Sequence, residues 1–265
     1  MGTYVMSDIH GCRDEFLTML DKIGFSGSDQ LFLAGDYIDR GKKSLEMLKW
    51  IEACPANVHL VRGNHDEEFA SNIDLMMDVD KQYGLKSNLD ANEDAVALYE
   101  TFRYLLRAKE LTVWFFDYYK TIKSLLEDWN VTLNDLCRWR DLIREMPFYF
   151  ETPIGGRDCV IVHGGYAEDL EKIGLGDTSP EEFYLHARME GYLLGGKRHG
   201  MVIAGHTPTT VEGEFTYNEG NVFRYYDEEK DCIFYDIDCG CVFRELNPKG
   251  KLACIRLEDE KIFYV

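Results

Sequence analysis

Five short polar clusters, each joining glycine to residues that bind metal ions, are separated by long stretches of the chain. They are SDIHG from Ser7, GDYIDRG from Gly35, RGNHD from Arg62, VHGG from Val162 and AGHTP from Ala204. Carboxylate, amide and imidazole ligands without thiolate suit Mn²⁺, Fe²⁺ or Zn²⁺ better than Ca²⁺ or Cu⁺. One such cluster is typical of a turn or a helix cap, whereas five together predict a metal site.

The spacing of these residues suggests how two ions would be held. Asp8 and His10 are two apart, so in an extended chain both side chains would leave the same face and bind one ion. Asp36 has two carboxylate oxygens and could bridge that ion to a second one, whose remaining ligands would be Asn64, His163 and His206. Two divalent ions about 3.5–4 Å apart clamp a phosphoryl group and lower the pKa of a water between them, which supplies hydroxide at neutral pH.

The charge balance limits the classes of substrate. The chain has 29 Lys and Arg against 48 Asp and Glu, a net charge of −19, which argues against binding a long nucleic acid or an anionic membrane. Two divalent ions would carry four positive charges, offset in the predicted site only by Asp8 and Asp36. We therefore expect a small phosphate ester, or a phosphorylated protein or peptide, to bind at a local cationic centre.

Other side chains in the clusters have the chemistry of a catalyst. Arg40 and Arg62 could fork onto phosphate oxygens or brace the loop. His65 is a candidate general acid for the leaving oxygen and Asp39 could orient it, although His65 could instead be a third metal ligand. A binding module stabilised by metal ions would need the ligands but neither a general acid nor an arginine that binds phosphate. The presence of His65, Asp39 and Arg40 together therefore favours an enzyme.

The clusters follow predicted strands, and ligands bind at the carboxyl edge of open α/β sheets. Short apolar runs alternate with helical patterns in the first third, which predicts strands at 4–6, 31–34 and 58–61 and helices at 14–23 and 44–53. Later strands are predicted at 160–162, 201–204, 233–237, 252–257 and 261–265. This pattern predicts an α/β fold.

The segment 67–146 differs from the first third in its pattern: it has long helical periodicities and almost no glycine or proline. A capping box at Thr132 to Asp135 opens one of its predicted helices. We interpret 67–146 as a helical insertion, or cap, within one domain that spans 1–265. Its aromatic run at 114–119 could stack on a nucleotide base or belong to the core.

Together and in this order, the motifs DIHG, GDYIDRG, RGNHD, HGG and AGHTP resemble the phosphoprotein phosphatase family within the calcineurin-like metallophosphoesterases. That family includes serine/threonine protein phosphatases, bacteriophage-type phosphatases and symmetrical diadenosine tetraphosphatases. The resemblance implies a β-sandwich flanked by helices and two divalent ions, for which we expect Mn²⁺, with Fe²⁺ or Zn²⁺ as alternatives. It also implies that Asp8 and His10 bind the first metal, that Asp36 bridges, and that the second metal is held by Asn64, His163 and His206.

The resemblance also implies roles for the groups that handle the phosphate. Arg40 would contact it, His65 paired with Asp39 would protonate the leaving group, and a second phosphate-binding arginine is expected after HGG, at Arg188 or else Arg198. Asp66 stands where animal-type protein phosphatases have glutamate, and their C-terminal Ser-Ala-Pro-Asn-Tyr segment is not found. We expect a phosphoserine or phosphothreonine phosphatase; hydrolysis of dinucleoside polyphosphates is the alternative.

The cysteines and the first residues bear on where the protein works. Eight cysteines in a chain of this size, without an apolar leader, predict reduced thiols and a cytoplasmic location. Cys239 and Cys241 lack the second cysteine pair that a structural zinc site would need.

Overall fold

The first third folds as the alternating pattern predicts. The structure is a computed structural model that describes residues 1–108, 116–210, 215 and 218–265. Elements are numbered in chain order, and the first five are β1 (Thr3–Met6), α1 (Arg13–Ile23), β2 (Gln30–Leu33), α2 (Ser44–Glu52) and β3 (Val58–Leu60). β1 and β2 pair in parallel, as do β2 and β3, so their carboxyl ends meet at one edge.

The strands form two mixed five-stranded sheets. The first has the order β10–β9–β1–β2–β3, in which the C-terminal hairpin β9 (Ala253–Arg256) and β10 (Lys261–Tyr264) adds antiparallel strands beside β1. The second has the order β4–β5–β6–β8–β7, with strands β4 (Tyr149–Ile154), β5 (Arg157–Val162), β6 (Gly200–Ala204), β7 (Phe223–Asp227) and β8 (Cys232–Asp236). The central strands β5, β6 and β8 are parallel.

An apolar layer joins the two sheets face to face. Val5 and Phe32 of the first sheet pack in one cluster with Ile161 and Ile203 of the second. The next side chain along β1, Met6, points the other way and packs with helical residues in a separate cluster. Strands buried on both faces explain why the sequence shows continuous apolar runs instead of alternation.

Helices α3 (Asn64–Tyr83), α4 (Asn92–Ala108), α5 (Phe116–Trp129) and α6 (Leu133–Glu145) lie between β3 and β4. Thr132 caps α6, with its hydroxyl accepting from the Asp135 amide at 3.2 Å, which confirms the predicted capping box. Phe69 of α3 and Trp139 of α6 share the cluster that covers the outer face of the first sheet. The helices therefore pack beside the sheet; the division at 67–146 stays a prediction, and the side chains of the aromatic run 114–119 lie outside the described residues.

Two strands were not predicted, and both are sheet edges. β4 contains Pro153, which has no amide proton, but an edge strand pairs on one side only and tolerates this loss. β7 carries Arg224 among its aromatic residues and is half buried, which is typical of a partly solvated edge. Among the described residues, the other helices are α7 (Pro180–His186) and α8 (Met189–Leu193), and a 3₁₀ turn covers Cys241–Phe243.

Two findings bear on membranes and thiols. None of the described helices is both long and apolar enough to cross a bilayer. All eight cysteines lie in the described part of the chain and are free thiols.

Candidate functional site

Loops from both sheets bring the six predicted ligands together at one end of the sandwich. Asp36 lies in the middle of the group. One of its carboxylate oxygens, Oδ2, is 3.4 Å from Nε2 of His10 and 3.4 Å from Nε2 of His163. Ligand atoms of Asp8, Asp36 and His163 lie within 4.8 Å of one another, and so do those of His10, Asp36 and His65. Asp36 thus belongs to two adjoining groups of metal-ligating atoms, as a bridging ligand would.

The hydrogen bonds of the two central histidines define which nitrogen is available. Nδ1 of His10 lies 2.8 Å from the carbonyl oxygen of Ile38, and Nδ1 of His163 lies 2.9 Å from that of Ala34. A carbonyl only accepts, so each Nδ1 must carry the proton and donate it. Burial lowers the pKa of both histidines, which keeps the rings neutral. The unprotonated Nε2 atoms of both rings therefore face Oδ2 of Asp36, and that of His10 also accepts from Arg40 at 3.0 Å.

A similar arrangement surrounds Asn64. Its Oδ1 is 2.9 Å from Nε2 of His163 and 3.0 Å from Nδ1 of His206. Burial lowers the pKa of His206 strongly, so this ring is also neutral. The unprotonated Nε2 of His163 and Oδ1 of Asn64 thus turn lone pairs toward each other, and a cation between them would relieve this repulsion. The donor set of carboxylate, amide and imidazole groups fits divalent ions.

The electrostatics of Asp36 agree with a cation site. Burial raises the pKa of Asp36 well above its usual value, and the neighbouring Asp8 carboxylate raises it further. A bound divalent ion reverses this effect, because it supplies the positive charge that two adjacent buried carboxylates lack. The Asp8 carboxylate is itself held by the Ser7 hydroxyl at 2.6 Å and the His206 amide at 3.0 Å.

Left-handed backbone turns aim these side chains into the site. Asp8 and His10 have φ values of 51° and 44°, so the extended geometry predicted for this pair is wrong. The chain turns there because the amides of Asp8 and His10 donate to carbonyls of the loop after β2, at 3.1 and 2.8 Å. Positive φ recurs along the site and includes Asp36, Asp39, Arg40 and His206. Such conformations are costly and cluster at functional sites.

The Asp66 side chain fixes the loop that carries the central ligand. Its carboxylate accepts from the amides of Asp36 at 2.8 Å, Tyr37 at 3.1 Å and Gly63 at 3.0 Å. Burial raises the pKa of Asp66 to about 7, although the three amides oppose that shift. This carboxylate ties the loop after β2 to the start of α3, where Asn64 and His65 lie.

Gly205 occupies a position where any side chain would displace Asp8, a predicted metal ligand. A Cβ atom there would lie 2.1 Å from Oδ2 of Asp8 and 2.1 Å from Oγ of Ser7. Both distances are far shorter than a van der Waals contact, so the Asp8 carboxylate would have to move.

We expect Gly205→Ala to lower hydrolytic activity about 100-fold, since a displacement of about 1 Å can cost this much in a preorganised site. The rate with saturating metal ion measures the effect, and circular dichroism checks the fold. Gly27→Ala is the matched control, because a Cβ at Gly27 meets nothing within 4 Å. Equal rates for the two variants would show that the position of Asp8 is unimportant.

His65 and Asp39 form the predicted pair. Nδ1 of His65 lies 3.0 Å from Oδ2 of Asp39, and both side chains are buried. The His65 amide donates to Oδ1 of Asp36 at 2.9 Å, and the His65 ring stands edge-on to His10 with centroids 4.7 Å apart. The His65 ring is therefore close enough to the ligand group to be either an acid or a further ligand.

The arginines differ in where they lie. Arg40 is exposed, with Nη1 3.0 Å from Nε2 of His10, so it reaches the centre from solvent. Arg188 lies beside the AGHTP loop, with Nη1 3.5 Å from Oγ1 of Thr207. Arg198 precedes β6, whereas the site follows that strand, so Arg198 lies at the opposite end.

Arg62 is a brace instead of a phosphate ligand. Its guanidinium is buried, donates to Glu67 at 3.0 Å and to the carbonyls of Met146 at 2.9 Å and Arg144, and lies over the Phe148 ring at 4.6 Å. These contacts tie the start of α3 to the end of α6.

Sequence reasoning missed two buried acids at the end of β8. Asp236 and Asp238 are each 3% exposed, and the Asp238 amide donates to Oδ1 of Asp236 at 3.0 Å. Burial raises the pKa of both, and the Asp8 carboxylate adds to the shift. The signal was present, because both acids fall at the end of the predicted strand 233–237, as the recognised clusters do.

Comparisons with known proteins identify the family of the chain. The family model described as calcineurin-like phosphoesterase matches residues 1–238. Curated relatives named symmetrical bis(5'-nucleosyl)-tetraphosphatase, from Buchnera aphidicola and Vibrio campbellii, are 49% and 48% identical over 67 residues, which is 25% of this chain. That segment spans only about a quarter of each relative, 24% and 25% respectively.

A solved structure extends the comparison to the fold. The metallophosphoesterase from Sphaerobacter thermophilus has a TM-score of 0.53 and 13% identity, and the match covers 100% of this chain and 87% of that one. At 13% sequence identity, this similarity supports a common fold and nothing about function. With the family model matching nine-tenths of its length, the chain belongs to the calcineurin-like phosphoesterases.

Proposed function

We propose that the protein hydrolyses phosphate esters or anhydrides at a dinuclear site held by Asp8, His10, Asp36, Asn64, His163 and His206. The observation that carries this proposal is the position of Asp36 in two adjoining ligand groups, with neutral histidine nitrogens facing it. When bound, Mn²⁺, Fe²⁺ or Zn²⁺ supplies Lewis acidity toward water and phosphoryl oxygens.

The surrounding side chains handle the phosphate and the proton. Arg40 and Arg188 bind phosphate oxygens, for which a guanidinium fork is suited. His65 holds a proton and donates it to the leaving oxygen as the bond from phosphorus to that oxygen breaks. Asp39 orients the His65 ring through Nδ1, so that the opposite nitrogen can serve the leaving group.

The substrate class we favour is a dinucleoside polyphosphate, the alternative weighed from the sequence. Support comes from the curated tetraphosphatases, which share 45–49% identity over the matched segment. Water adds to a phosphorus of the polyphosphate chain, and a nucleotide leaves with the proton from His65. The prediction of a phosphoserine or phosphothreonine substrate concerns the same site and is tested by the same assay.

A side-by-side assay decides between these substrates. The 265-residue protein loaded with Mn²⁺ should turn over diadenosine tetraphosphate at least about tenfold faster, by kcat/KM, than a phosphoserine or phosphothreonine peptide. Chromatography of the nucleotide products and release of inorganic phosphate measure the two reactions. A faster rate on the phosphopeptide would reverse the choice of substrate, and no turnover of either with any of the three metals would refute the hydrolase.

A further inference from the structure

A cavity of about 400 Å³ opens beside the candidate site. Three parts of the chain form its walls: the loop after β2 with the start of α2, helix α5, and the 3₁₀ turn after β8. Binding pockets for small molecules fall in the same range of volume, about 300–1,000 Å³. Lysines and aromatic side chains line this cavity.

Arg40 connects this cavity to the catalytic centre. Its Nη1 contacts His10 at 3.0 Å, and the same side chain lines the cavity. The guanidinium also lies over the Phe243 ring, 5.4 Å from the centroid, and Phe243 is part of the cavity wall. A group that extends from a phosphate held by Arg40 therefore has a direct path into the cavity.

The charge of the lining is opposite to that of the protein. Its described residues include Arg40, Lys42 and Lys120 and no aspartate or glutamate, although the chain has 48 acidic residues. The ammonium of Lys42 lies 3.2 Å from Glu245, but the two side chains are 84% and 72% exposed. Exposed ion pairs of this kind contribute little, so Lys42 can exchange Glu245 for a phosphate.

The cavity also has apolar surface. The side chains of Trp129 and Leu246 are 50% and 89% exposed, and both line the cavity with Phe243. Bases stack on aromatic side chains, whatever their sequence, because each has a π-face. Cations near the centre and aromatic rings beside them match a nucleotide, which carries phosphates next to a base.

We propose that this cavity is the subsite for the leaving nucleotide, with its phosphates between Arg40 and the two lysines, Lys42 and Lys120, and its base against Trp129 and Phe243. The inference rests on the proposed phosphohydrolase function and makes it specific. A phosphopeptide has one phosphate, which the catalytic centre would take, and it offers no second phosphate to Lys42 and Lys120. The cavity therefore favours substrates with a chain of phosphates.

The test compares two substrates in one variant. Lys42→Ala combined with Lys120→Ala removes both ammonium groups from the cavity. We expect the ratio of kcat/KM for diadenosine tetraphosphate to kcat/KM for p-nitrophenyl phosphate to fall about tenfold or more, chiefly through a higher KM for the nucleotide. p-Nitrophenyl phosphate has no further phosphate to bind there. Inhibition of its hydrolysis by ADP should weaken by a similar factor.

Lys123→Ala is the matched control, because Lys123 lies on the same helix, pairs with Glu127 at 3.6 Å and is not part of the cavity lining. It should leave the ratio within about twofold of the original value. Circular dichroism of both variants verifies that the fold is kept.

The outcomes separate the subsite from the function. If the unaltered protein hydrolyses both substrates and the double variant keeps their ratio, the subsite is refuted and the hydrolase stands. Turnover of p-nitrophenyl phosphate without any turnover of diadenosine tetraphosphate also refutes the subsite alone. Hydrolysis of neither substrate with any of the three metals refutes the proposed function and the subsite with it.

Discussion

Asp36→Asn is expected to abolish hydrolysis and to release at least one of two bound metal ions. The carboxylate lies 3.4 Å from Nε2 of both His10 and His163, the predicted ligand atoms, so we expect its loss to affect both groups. An amide keeps the shape of the side chain but offers one neutral oxygen in place of a bridging anion. Mutating a residue that only orients a metal ligand typically lowers metal affinity or activity about 10–100-fold. For the bridging carboxylate itself, we therefore expect activity to fall on the order of 10³-fold or more.

Elemental analysis after purification, together with the rate at saturating Mn²⁺, measures this effect. Asp141→Asn is a suitable control, because that side chain is 65% exposed and pairs with Arg140. The control should keep its metal and its rate. A variant at position 36 that retained activity with a full metal load would exclude Asp36 as the bridge.

His65→Asn should lower kcat by about 10²–10⁴-fold, the usual contribution of general acid catalysis, and leave the metal content unchanged. Nδ1 of His65 is engaged by Asp39 at 3.0 Å, which leaves the other nitrogen for the leaving oxygen. The loss should be smaller for p-nitrophenyl phosphate than for an alkyl phosphate, because nitrophenolate leaves readily without a proton.

The dependence on the leaving group separates this role from a structural one. Misplaced ligands would slow both substrates equally, whereas a missing acid slows the poorer leaving group more. His199→Asn is the matched control, since that ring is 81% exposed and pairs with Asp231. Loss of metal from the His65 variant would instead identify His65 as a ligand, the alternative that its place beside Asp36 leaves open.

The sequence was sufficient to predict which residues meet, because the chemistry of each cluster is local. A strand followed by a glycine turn delivers its polar side chains to the carboxyl edge, and parallel neighbours deliver theirs to the same edge. The two-sheet sandwich was predicted from the resemblance to a known family. The alternation of strands and helices alone predicted only a parallel sheet. Nothing in the pattern marks which strands belong to which sheet.

Details that depend on distant parts of the chain could not be predicted. Arg62 is close in sequence to the predicted ligand Asn64, but its guanidinium donates hydrogen bonds to carbonyl oxygens at the end of α6. The turn at Asp8 and His10 is set by hydrogen bonds to a loop more than 25 residues away. Pro153 argues against a strand when only the sequence is considered, and β4 tolerates it because this strand lies at the edge of its sheet.

The apolar layer between the sheets sets the gap that the candidate site must span. Asp8, His10 and Asp36 follow strands of the first sheet, whereas His163 and His206 follow strands of the second. Close-packed interiors transmit small changes in volume, so a larger or smaller residue at Val5 or Ile203 would alter the thickness of the sandwich. We therefore expect substitutions deep inside the protein, which touch none of the predicted ligands, to change its affinity for metal ions.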